Sequence, residues 1–194
     1  MDRRSPGTKN EVAPAAKQNP RREENAMCAK DASQQVSAIG QELAGKYLTF
    51  GLADEEYGLE ILRVREIIGM MNVTPIPRTP DFVLGVINLR GKVIPVVDLR
   101  LKFALQYKEP DDRTCVIVVE VMSEDQPIMM GIVVDMVNEV ADVRAENVEP
   151  TPSFGVVLDT SFILGMAKFG EKVITLLAID KVLTSTEIRA IGSI

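Results

Sequence analysis

The side chains that most often perform acid–base and nucleophilic chemistry are scarce in this sequence of 194 residues, which contains no histidine. Without imidazole the chain has no Ser-His or Cys-His nucleophile pair, and no histidine that could accept a phosphoryl group. Its two cysteines, Cys28 and Cys115, are too few for a four-thiolate metal site. We therefore predict that the protein is not an enzyme, has no catalytic residue, and needs neither a cofactor nor a bound metal.

Cys115 is the residue on which an enzyme would have to depend. It begins an apolar run over 115–121 that is typical of a strand, and the sequence places no base beside it. A buried structural thiol is therefore favoured over a nucleophile. Two alternatives stay open: a hydrolase that uses Cys115 or paired carboxylates, and a small barrel that binds a ligand. The second is the weaker, since small barrels are usually filled by side chains.

The distribution of charge limits the kinds of partner. The formal net charge is −6; residues 1–40 hold seven basic and five acidic side chains, which leaves 15 basic and 23 acidic ones for residues 41–194. An acidic body does not attract a phosphate backbone, so we predict no binding to nucleic acid. The chain contains no run of about 18 apolar residues, so direct membrane insertion is not expected. A cytoplasmic protein with reduced cysteines is the simplest interpretation.

Residues 1–42 differ in composition from the rest of the chain. They contain no aromatic residue and many Pro, Asn, Gln and Ser side chains, which predicts a disordered leader, although a short helix over 34–45 is compatible with the sequence. The body over 43–190 has short β-branched runs and period-two alternation, which predict an all-β fold. Strands are expected over 48–52, 57–61, 85–87, 93–97, 115–121, 130–134 and 173–179.

Local signals refine this prediction at three places. Pro95 cannot donate a hydrogen bond, so its strand should lie at a sheet edge or carry a bulge. Residues 62–67 are compatible with a single helical turn. Residues 180–191 are the best candidate for a helix, because Thr184 and Glu187 have the spacing of a capping box.

An internal repeat is the most informative feature. Residues 58–67 align with 131–140 at an offset of 73, since both read Gly-h-x-h-x-x-Val-x-Glu-h, where h is apolar. Residues 85–99 align with 165–179 at an offset of 80, which places a seven-residue insertion near Pro150. Two copies of one β unit follow from this pattern. Because a sheet that short must protect its edges, we expect closure into small barrels.

Arg90 is the charged residue whose position most suggests recognition of a partner. It lies in Asn88-Leu89-Arg90-Gly91-Lys92 between two predicted strands, where Gly91 suits the positive φ of a tight hairpin turn. Its guanidinium is then in solvent or against a partner, and its planar fork suits a carboxylate. Val64 and Glu66 share one face of their segment if that segment is extended, which would place an apolar side chain beside a charge.

Several linked motifs resemble those of the bacterial CheW-type chemotaxis coupling proteins, over about residues 43–190. The first motif is Glu55-Glu56-Tyr57-Gly58, followed by Ile61-Leu62-Arg63-Val64-Arg65-Glu66-Ile67. The others are Thr74-Pro75-Ile76-Pro77, Phe82-Val83-Leu84-Gly85-Val86-Ile87-Asn88-Leu89-Arg90-Gly91, Val93-Ile94-Pro95-Val96-Val97-Asp98-Leu99-Arg100, and Gly131-Ile132-Val133-Val134-Asp135 with Val137.

The resemblance implies an adaptor with two intertwined five-stranded barrels of SH3-like topology and a short C-terminal helix. The first barrel would span about 43–110 and the second about 111–190. Proteins of this family couple transmembrane chemoreceptors to the histidine kinase CheA, whose regulatory domain is itself similar to them. A coupling protein of a non-flagellar chemosensory kinase pathway is the alternative function.

The resemblance also implies a receptor-binding site. The family's receptor-contacting positions correspond to Val64, Glu66, Ile67 and Arg90, whereas no kinase-binding residues are assigned. The expected partners are the cytoplasmic tip of a methyl-accepting chemoreceptor and the regulatory domain of CheA, at receptor arrays beneath the inner membrane. We further expect Arg90 to position a receptor helix beside Val64, and an ion pair between Arg90 and Glu66 to order the site.

Overall fold

The computed structural model describes residues 38–123, 126–151 and 161–183, together with Glu187. Within these ranges the chain forms eleven β-strands, three short helices and two 3-10 turns, which confirms the predicted all-β class. Cys28, Thr184 and most of the predicted leader, residues 1–37, lie outside the described residues.

The strands have the following bounds. They are β1 Gly45–Leu52, β2 Glu55–Glu60, β3 Val64–Gly69, β4 Val83–Leu89, β5 Lys92–Asp98, β6 Cys115–Ser123, β7 Gln126–Val134, β8 Met136–Val143, β9 Val148–Glu149, β10 Ile163–Phe169 and β11 Lys172–Leu177. One sheet has the order β8-β1-β2-β11-β10-β9, and the other has the order β3-β6-β7-β5-β4. The helical turn expected over 62–67 is instead a 3-10 turn at Ile61–Arg63, and β3 follows it directly.

The described helical segments are short. Helix α1 is described over 38–43, α2 spans Leu99–Lys102 and α3 spans Ile179–Val182. None of the described helices is long and apolar enough to cross a membrane. The helix predicted over 180–191 is not continuous, because α3 ends at Val182 and Leu183 has extended backbone angles. Glu187 is helical again, and the other residues from 184 to 191 lie outside the described residues.

The end of the predicted leader is helical rather than disordered, because α1 packs onto the body. Ile39 and Leu43 are four residues apart on this helix, and both lie against a buried cluster of the six-stranded sheet. The Tyr47 hydroxyl donates a hydrogen bond of 3.0 Å to the Leu43 carbonyl. These contacts extend the folded body back to at least residue 38.

The repeat found in the sequence is a structural duplication. The β4–β5 and β10–β11 hairpins have the same register at an offset of 80, including a bulge near the start of each. The parallel pairs correspond too, since Val96 lies opposite Gly131 and Leu176 lies opposite Gly58. The two copies therefore have equivalent positions in these paired strands, which allows their residues to be compared pair by pair.

Each sheet combines strands from both copies. β1 and β2 of the first copy pair with β8–β11 of the second, whereas β6 and β7 of the second join β3–β5 of the first. A division into barrels at residues 110 and 111 does not match this order. The reason is that each copy contributes its first two strands to the other copy's sheet, through the parallel pairs β2–β11 and β7–β5. The six-stranded sheet exceeds the expected five strands by the two-residue strand β9.

Pro95 lies in an interior strand, so the edge alternative is wrong; the β4–β5 pair does carry a bulge, but its extra residue is Leu84 on β4 and not a residue of the strand of Pro95. Val86, opposite Pro95, directs both its N–H and its C=O to Thr74, at 2.9 and 2.8 Å. Hydrogen-bonding directions alternate along an antiparallel pair, so the Pro95 nitrogen faces away from β4 and toward β7. On that side the parallel pairing begins only at Val96. No donor is therefore needed at the position that proline occupies.

Three buried clusters stabilise the fold. The largest contains residues from both sheets, among them Phe50 and Leu59 from one and Ile117 and Ile132 from the other. We call it the central cluster. The other two clusters lie one within each sheet, so apolar side chains fill both SH3-like barrels. Strands with both faces buried explain the continuous apolar runs of the sequence.

Candidate functional site

The β3 strand carries three of the four predicted receptor-contacting residues and lies at the edge of its sheet. Val64 pairs with Val119 on β6, and Glu66 pairs with the adjacent β6 residue, so Arg65 is the extra residue of a bulge. This shift places Val64 and Ile67 on the face of the central cluster and Glu66 on the opposite face. The expectation that Val64 and Glu66 share a face is wrong, because the bulge reverses the alternation.

The apolar residues of β3 differ in exposure. Val64 is partly buried and packs against the central cluster. Ile67 is 45% exposed, an unusual state for a large β-branched side chain, because no further strand covers β3. The bulged Arg65 points outward and pairs with Glu120 at 2.7 Å. The edge therefore presents an apolar contact flanked by charged groups.

Arg90 lies on the two-residue turn between β4 and β5, as the sequence predicts. Both turn residues have positive φ, 52° at Arg90 and 84° at Gly91, which is the pattern of a type I′ turn. The Asn88 side chain accepts a hydrogen bond of 2.8 Å from the Gly91 amide and stabilises the turn. Arg90 is thus held in a conformation that L-residues rarely adopt, which is a common property of functional sites.

The ion pair between Arg90 and Glu66 is present. The Arg90 Nη2 atom lies 2.8 Å from the Glu66 Oε2 atom. The arginine side chain is 81% exposed and the glutamate side chain 25% exposed, so water screens the pair strongly. Exposed pairs of this kind contribute about 0.2–1 kcal/mol. The pair fixes the direction of the guanidinium more than it stabilises the fold.

Sequence reasoning missed the strained backbone of Arg90, although the repeat contained the signal. At an offset of 80, Arg90 aligns with Gly170, which has a φ of 65°. A glycine at the equivalent turn position indicates that the hairpin geometry demands positive φ there. The arginine in the first copy therefore occupies a position where the fold itself favours glycine.

Asp98 is a second residue whose role emerges only from the structure. It is 5% exposed, and its Oδ1 atom accepts hydrogen bonds from the amides of Arg100 and Leu101 at the start of α2, at 2.8 and 3.4 Å. Burial raises the pKa of this carboxyl, while those hydrogen bonds and the Arg100 charge act in the opposite direction. Arg100 in turn pairs with Asp135. These contacts of Asp98, Arg100 and Asp135 stabilise the packing of α2 against the end of β7.

Cys115 does not have the surroundings of a nucleophile. It is free and partly buried, and it packs against the central cluster. Burial raises the pKa of its thiol, with a smaller opposing effect of a backbone hydrogen bond at Val137. A raised pKa reduces the thiolate fraction at neutral pH, which is the reverse of what a catalytic cysteine needs.

Comparison with known proteins supports one family. The chain matches the family model described as CheW-like domain over residues 46–187. It is 42% identical over 160 residues to a chemotaxis protein CheW of Klebsiella aerogenes, covering 82% of this chain and 94% of that protein. It is 34% identical to a chemotaxis protein CheW of Rhizobium meliloti over 157 residues, which is 81% of this chain and 96% of that one.

A solved structure agrees with these sequence matches. The scaffolding protein TtCheW from Thermoanaerobacter tengcongensis superposes with a TM-score of 0.64 and is 36% identical in sequence. The match covers 72% of this chain and 92% of that one. The fold described above therefore belongs to a known structural type.

Proposed function

The chain belongs to the CheW-like domain family, and on that premise we propose that it is a non-catalytic scaffold coupling transmembrane chemoreceptors to the histidine kinase CheA in bacterial chemotaxis signalling. Its relatives are named as chemotaxis proteins, and the solved relative is described as a scaffolding protein. A scaffold of this kind acts through binding free energy, because the complex it forms with one partner changes the state of the other.

The receptor-binding site in this proposal is the β3 surface, which we define as Val64, Glu66, Ile67 and Arg90. The observation that carries it is an edge strand that presents the Arg90–Glu66 pair, 2.8 Å long, on one face and an Ile67 that is 45% exposed on the other. The arginine uses one nitrogen on Glu66 and keeps further N–H donors for a partner's carboxylate. The surface therefore suits an amphipathic helix with an acidic residue next to an apolar one.

The regulatory domain of CheA is the second partner in the proposal, and this part rests on family membership alone. Its contact residues are not assigned. Binding at a surface separate from β3 would let one molecule hold receptor and kinase together at the arrays beneath the membrane. Rigid strands suit this task, because interface side chains on a barrel lose little conformational freedom on binding.

The test uses the duplication to supply a matched control. Ile67→Asp introduces a charge on the β3 surface, and Val140→Asp introduces the same charge at the equivalent position of the second copy, where the exposure is 49%. Binding of the full-length variants to a chemoreceptor tip fragment is measured by isothermal titration calorimetry. We expect Ile67→Asp to weaken binding about tenfold or more and Val140→Asp to leave it within about twofold. Equal effects of the two variants would reject the β3 surface as the receptor site.

A further inference from the structure

The duplication creates a second copy of the β3 surface, on the edge strand β8. We define the β8 surface as Val137, Glu139, Val140 and the turn Gly170–Glu171, which occupy the positions of Val64, Glu66, Ile67 and Arg90–Gly91. β8 ends the six-stranded sheet as β3 ends the other. The bulge is also repeated, since the four residues of β8 from Val137 to Val140 lie opposite only three residues of β1, 48–50. The backbone therefore offers the same edge twice.

The side chains of the two surfaces match in apolar character. Val137, like Val64, is partly buried against the central cluster. Val140 is 49% exposed, close to the 45% of Ile67. An exposed β-branched residue at the same point of both edge strands provides an apolar contact in each case.

The charges of the two surfaces differ: the residues that define the β3 surface are neutral in sum, whereas those that define the β8 surface carry −2. The difference persists when the adjacent positions of Lys92 and Met129, and their counterparts Lys172 and Glu56, are included. In the first copy Glu66, Arg90 and Lys92 give +1, and the remaining equivalent positions are the neutral Gly91 and Met129. In the second copy the matching positions hold one lysine, three glutamates and a glycine, which gives −2. The residues of this second set are Lys172, Glu139, Glu171, Glu56 and Gly170.

Glu139 lacks the ion pair that its counterpart Glu66 makes. Glu66 pairs with Arg90, whereas the second copy has Gly170 at the position of Arg90. Within the described part of the chain the Glu139 carboxylate makes no ion pair or side-chain hydrogen bond. Lys172 lies nearby but bonds to Glu56 at 2.9 Å; Glu56 raises the pKa of that lysine most, and Glu139 adds a smaller effect.

The backbone beneath Glu139 is nevertheless fixed. Thr49, which is 2% exposed, donates its hydroxyl hydrogen to the Glu139 carbonyl at 3.0 Å and accepts from the Glu139 amide at 3.2 Å. The bulge is therefore locked by a buried side chain rather than left flexible. The edge therefore holds the Glu139 backbone in place, while its exposed carboxylate is accessible to a cation.

We infer that the β8 surface is a second docking site, whose occupant is a cationic amphipathic helix of a partner protein. An arginine or lysine of that helix pairs with Glu139. This partner residue has the role at Glu139 that Arg90 of the chain itself has at Glu66. An apolar residue one turn away contacts Val140. The inference takes the β3 surface as its template and rests on the proposed function to that extent, but it concerns a different face and a partner of opposite charge.

The test uses two synthetic amphipathic helices about 20 residues long, long enough to be helical in isolation. Both have the same leucine face; one carries arginines along its flanks and the other carries glutamates. Fluorescence anisotropy measures their binding to the full-length protein. The arginine helix should bind and the glutamate helix should not, and added salt should weaken the binding.

Two charge reversals then locate the site. Glu139→Lys should weaken binding of the arginine helix about tenfold or more, and Glu139→Gln should weaken it less. Glu66→Lys is the control, because it changes the net charge equally and so alters non-specific attraction to the acidic protein by the same amount. Far-ultraviolet circular dichroism and the melting temperature check that each variant is folded.

The remaining outcomes overturn the inference. If the arginine helix binds Glu139→Lys as tightly as wild type, the inference is rejected. If Glu66→Lys rather than Glu139→Lys weakens binding of the arginine helix, the helix binds at β3 and the inference is also rejected. Equal binding of the two helices shows that charge does not select the occupant. Binding of the chemoreceptor tip fragment is measured in the same variants, and only Glu66→Lys is expected to abolish it. Unchanged receptor binding by Glu66→Lys would contradict the proposed receptor site without bearing on the β8 surface.

Discussion

Arg90 and Gly170 occupy the same position in the two corresponding hairpin turns, and both have positive φ, 52° and 65°, although the next residue has positive φ only in the first turn, at Gly91. Only glycine adopts this conformation without a steric cost, which for other L-residues is about 1–2 kcal/mol. The first copy therefore carries an arginine at a position where the fold favours glycine. The side chain that replaces glycine is the exposed guanidinium of the proposed receptor site, which indicates that the strain is tolerated for binding.

Arg90→Gly should abolish receptor binding without lowering stability. Glycine relieves the strained φ, but it increases the freedom of the unfolded chain and removes the exposed pair with Glu66. These effects oppose one another, so the free energy of unfolding should change by less than about 1 kcal/mol. Urea denaturation gives the stability, and calorimetric titration with a chemoreceptor tip fragment gives the affinity. Normal receptor binding by the glycine variant would contradict the proposed role.

Arg90→Ala is the matched control for the backbone. Alanine removes the same guanidinium but keeps the strain, so it should lose the same affinity as Arg90→Gly. It should be no more stable than the glycine variant, although alanine costs less conformational entropy on folding. If Arg90→Ala is instead clearly more stable than Arg90→Gly, the backbone at this position is not strained, contrary to what the comparison with Gly170 indicates.

The coupling between Arg90 and Glu66 should be small. The pair is 2.8 Å long, but the arginine side chain is 81% exposed and its charge is well solvated. A double-mutant cycle with Arg90→Ala and Glu66→Ala should give a coupling energy for folding of about 0.2–1 kcal/mol. A cycle on receptor affinity should give the larger value if the pair orients the guanidinium. Zero coupling in both cycles would show that the pair has no role.

Much of the fold could be predicted from the sequence, because the duplication preserved spacing and side-chain size together. The motif beginning at Gly58 and its copy at Gly131 predicted two equivalent β units, and short β-branched runs marked most strands. The exchange of strands between sheets could not be predicted. It depends on parallel pairing between distant segments, such as Val96 with Gly131, and no local pattern specifies that pairing.

The candidate site was predictable in its residues and not in its geometry. Glu66 and Arg90 are brought together as expected, but the bulge at Arg65 moves Val64 to the other face. A bulge inserts one residue into one strand, and the sequence of that strand still alternates normally around it. Only the partner strand β6 reveals the shift. The same limit explains why the second copy of the site was not foreseen.

Gly131 should tolerate alanine poorly. A Cβ atom there would lie 2.7 Å from Val116 Cγ1 and 3.3 Å from Val96 Cγ2, inside the tightly packed five-stranded barrel. β-branched side chains have few alternative rotamers, so the neighbours cannot move aside. We expect Gly131→Ala to lower the free energy of unfolding by about 1–3 kcal/mol, measured by urea denaturation.

The equivalent Gly58 provides the comparison. Its Cβ would meet Leu176 Cδ2 at 3.1 Å and Ile174 Cγ2 at 3.3 Å, so its nearest contact is longer than the 2.7 Å at Gly131, and Gly58→Ala should cost less than Gly131→Ala. A smaller loss at Gly131 than at Gly58 would mean that the barrel around Val116 is looser than the distances imply.

Asp98 should make the stability of the protein depend on pH. Burial raises the pKa of its carboxyl in the folded state, against the lowering effects of the Arg100 and Leu101 amides and the Arg100 charge, and nearby Asp135 adds to the rise. The folded state therefore holds this proton more tightly than the unfolded state does. The resulting stabilisation is fully present below the unfolded pKa and is lost as the pH rises through the folded pKa.

Asp98→Asn isolates this effect, because the amide keeps an oxygen that can cap α2 but does not titrate. The difference in unfolding free energy between wild type and Asp98→Asn should shift in favour of wild type as the pH falls from 7 toward 4. Carboxylates that do not interact with Asp98 contribute equally to both proteins and cancel in the difference, which leaves the effect of Asp98 together with its interaction with Asp135. Urea denaturation at a series of pH values provides the measurement. A difference that instead favours wild type more strongly as the pH rises would show that the Arg100 charge and the two amides outweigh burial at this carboxyl.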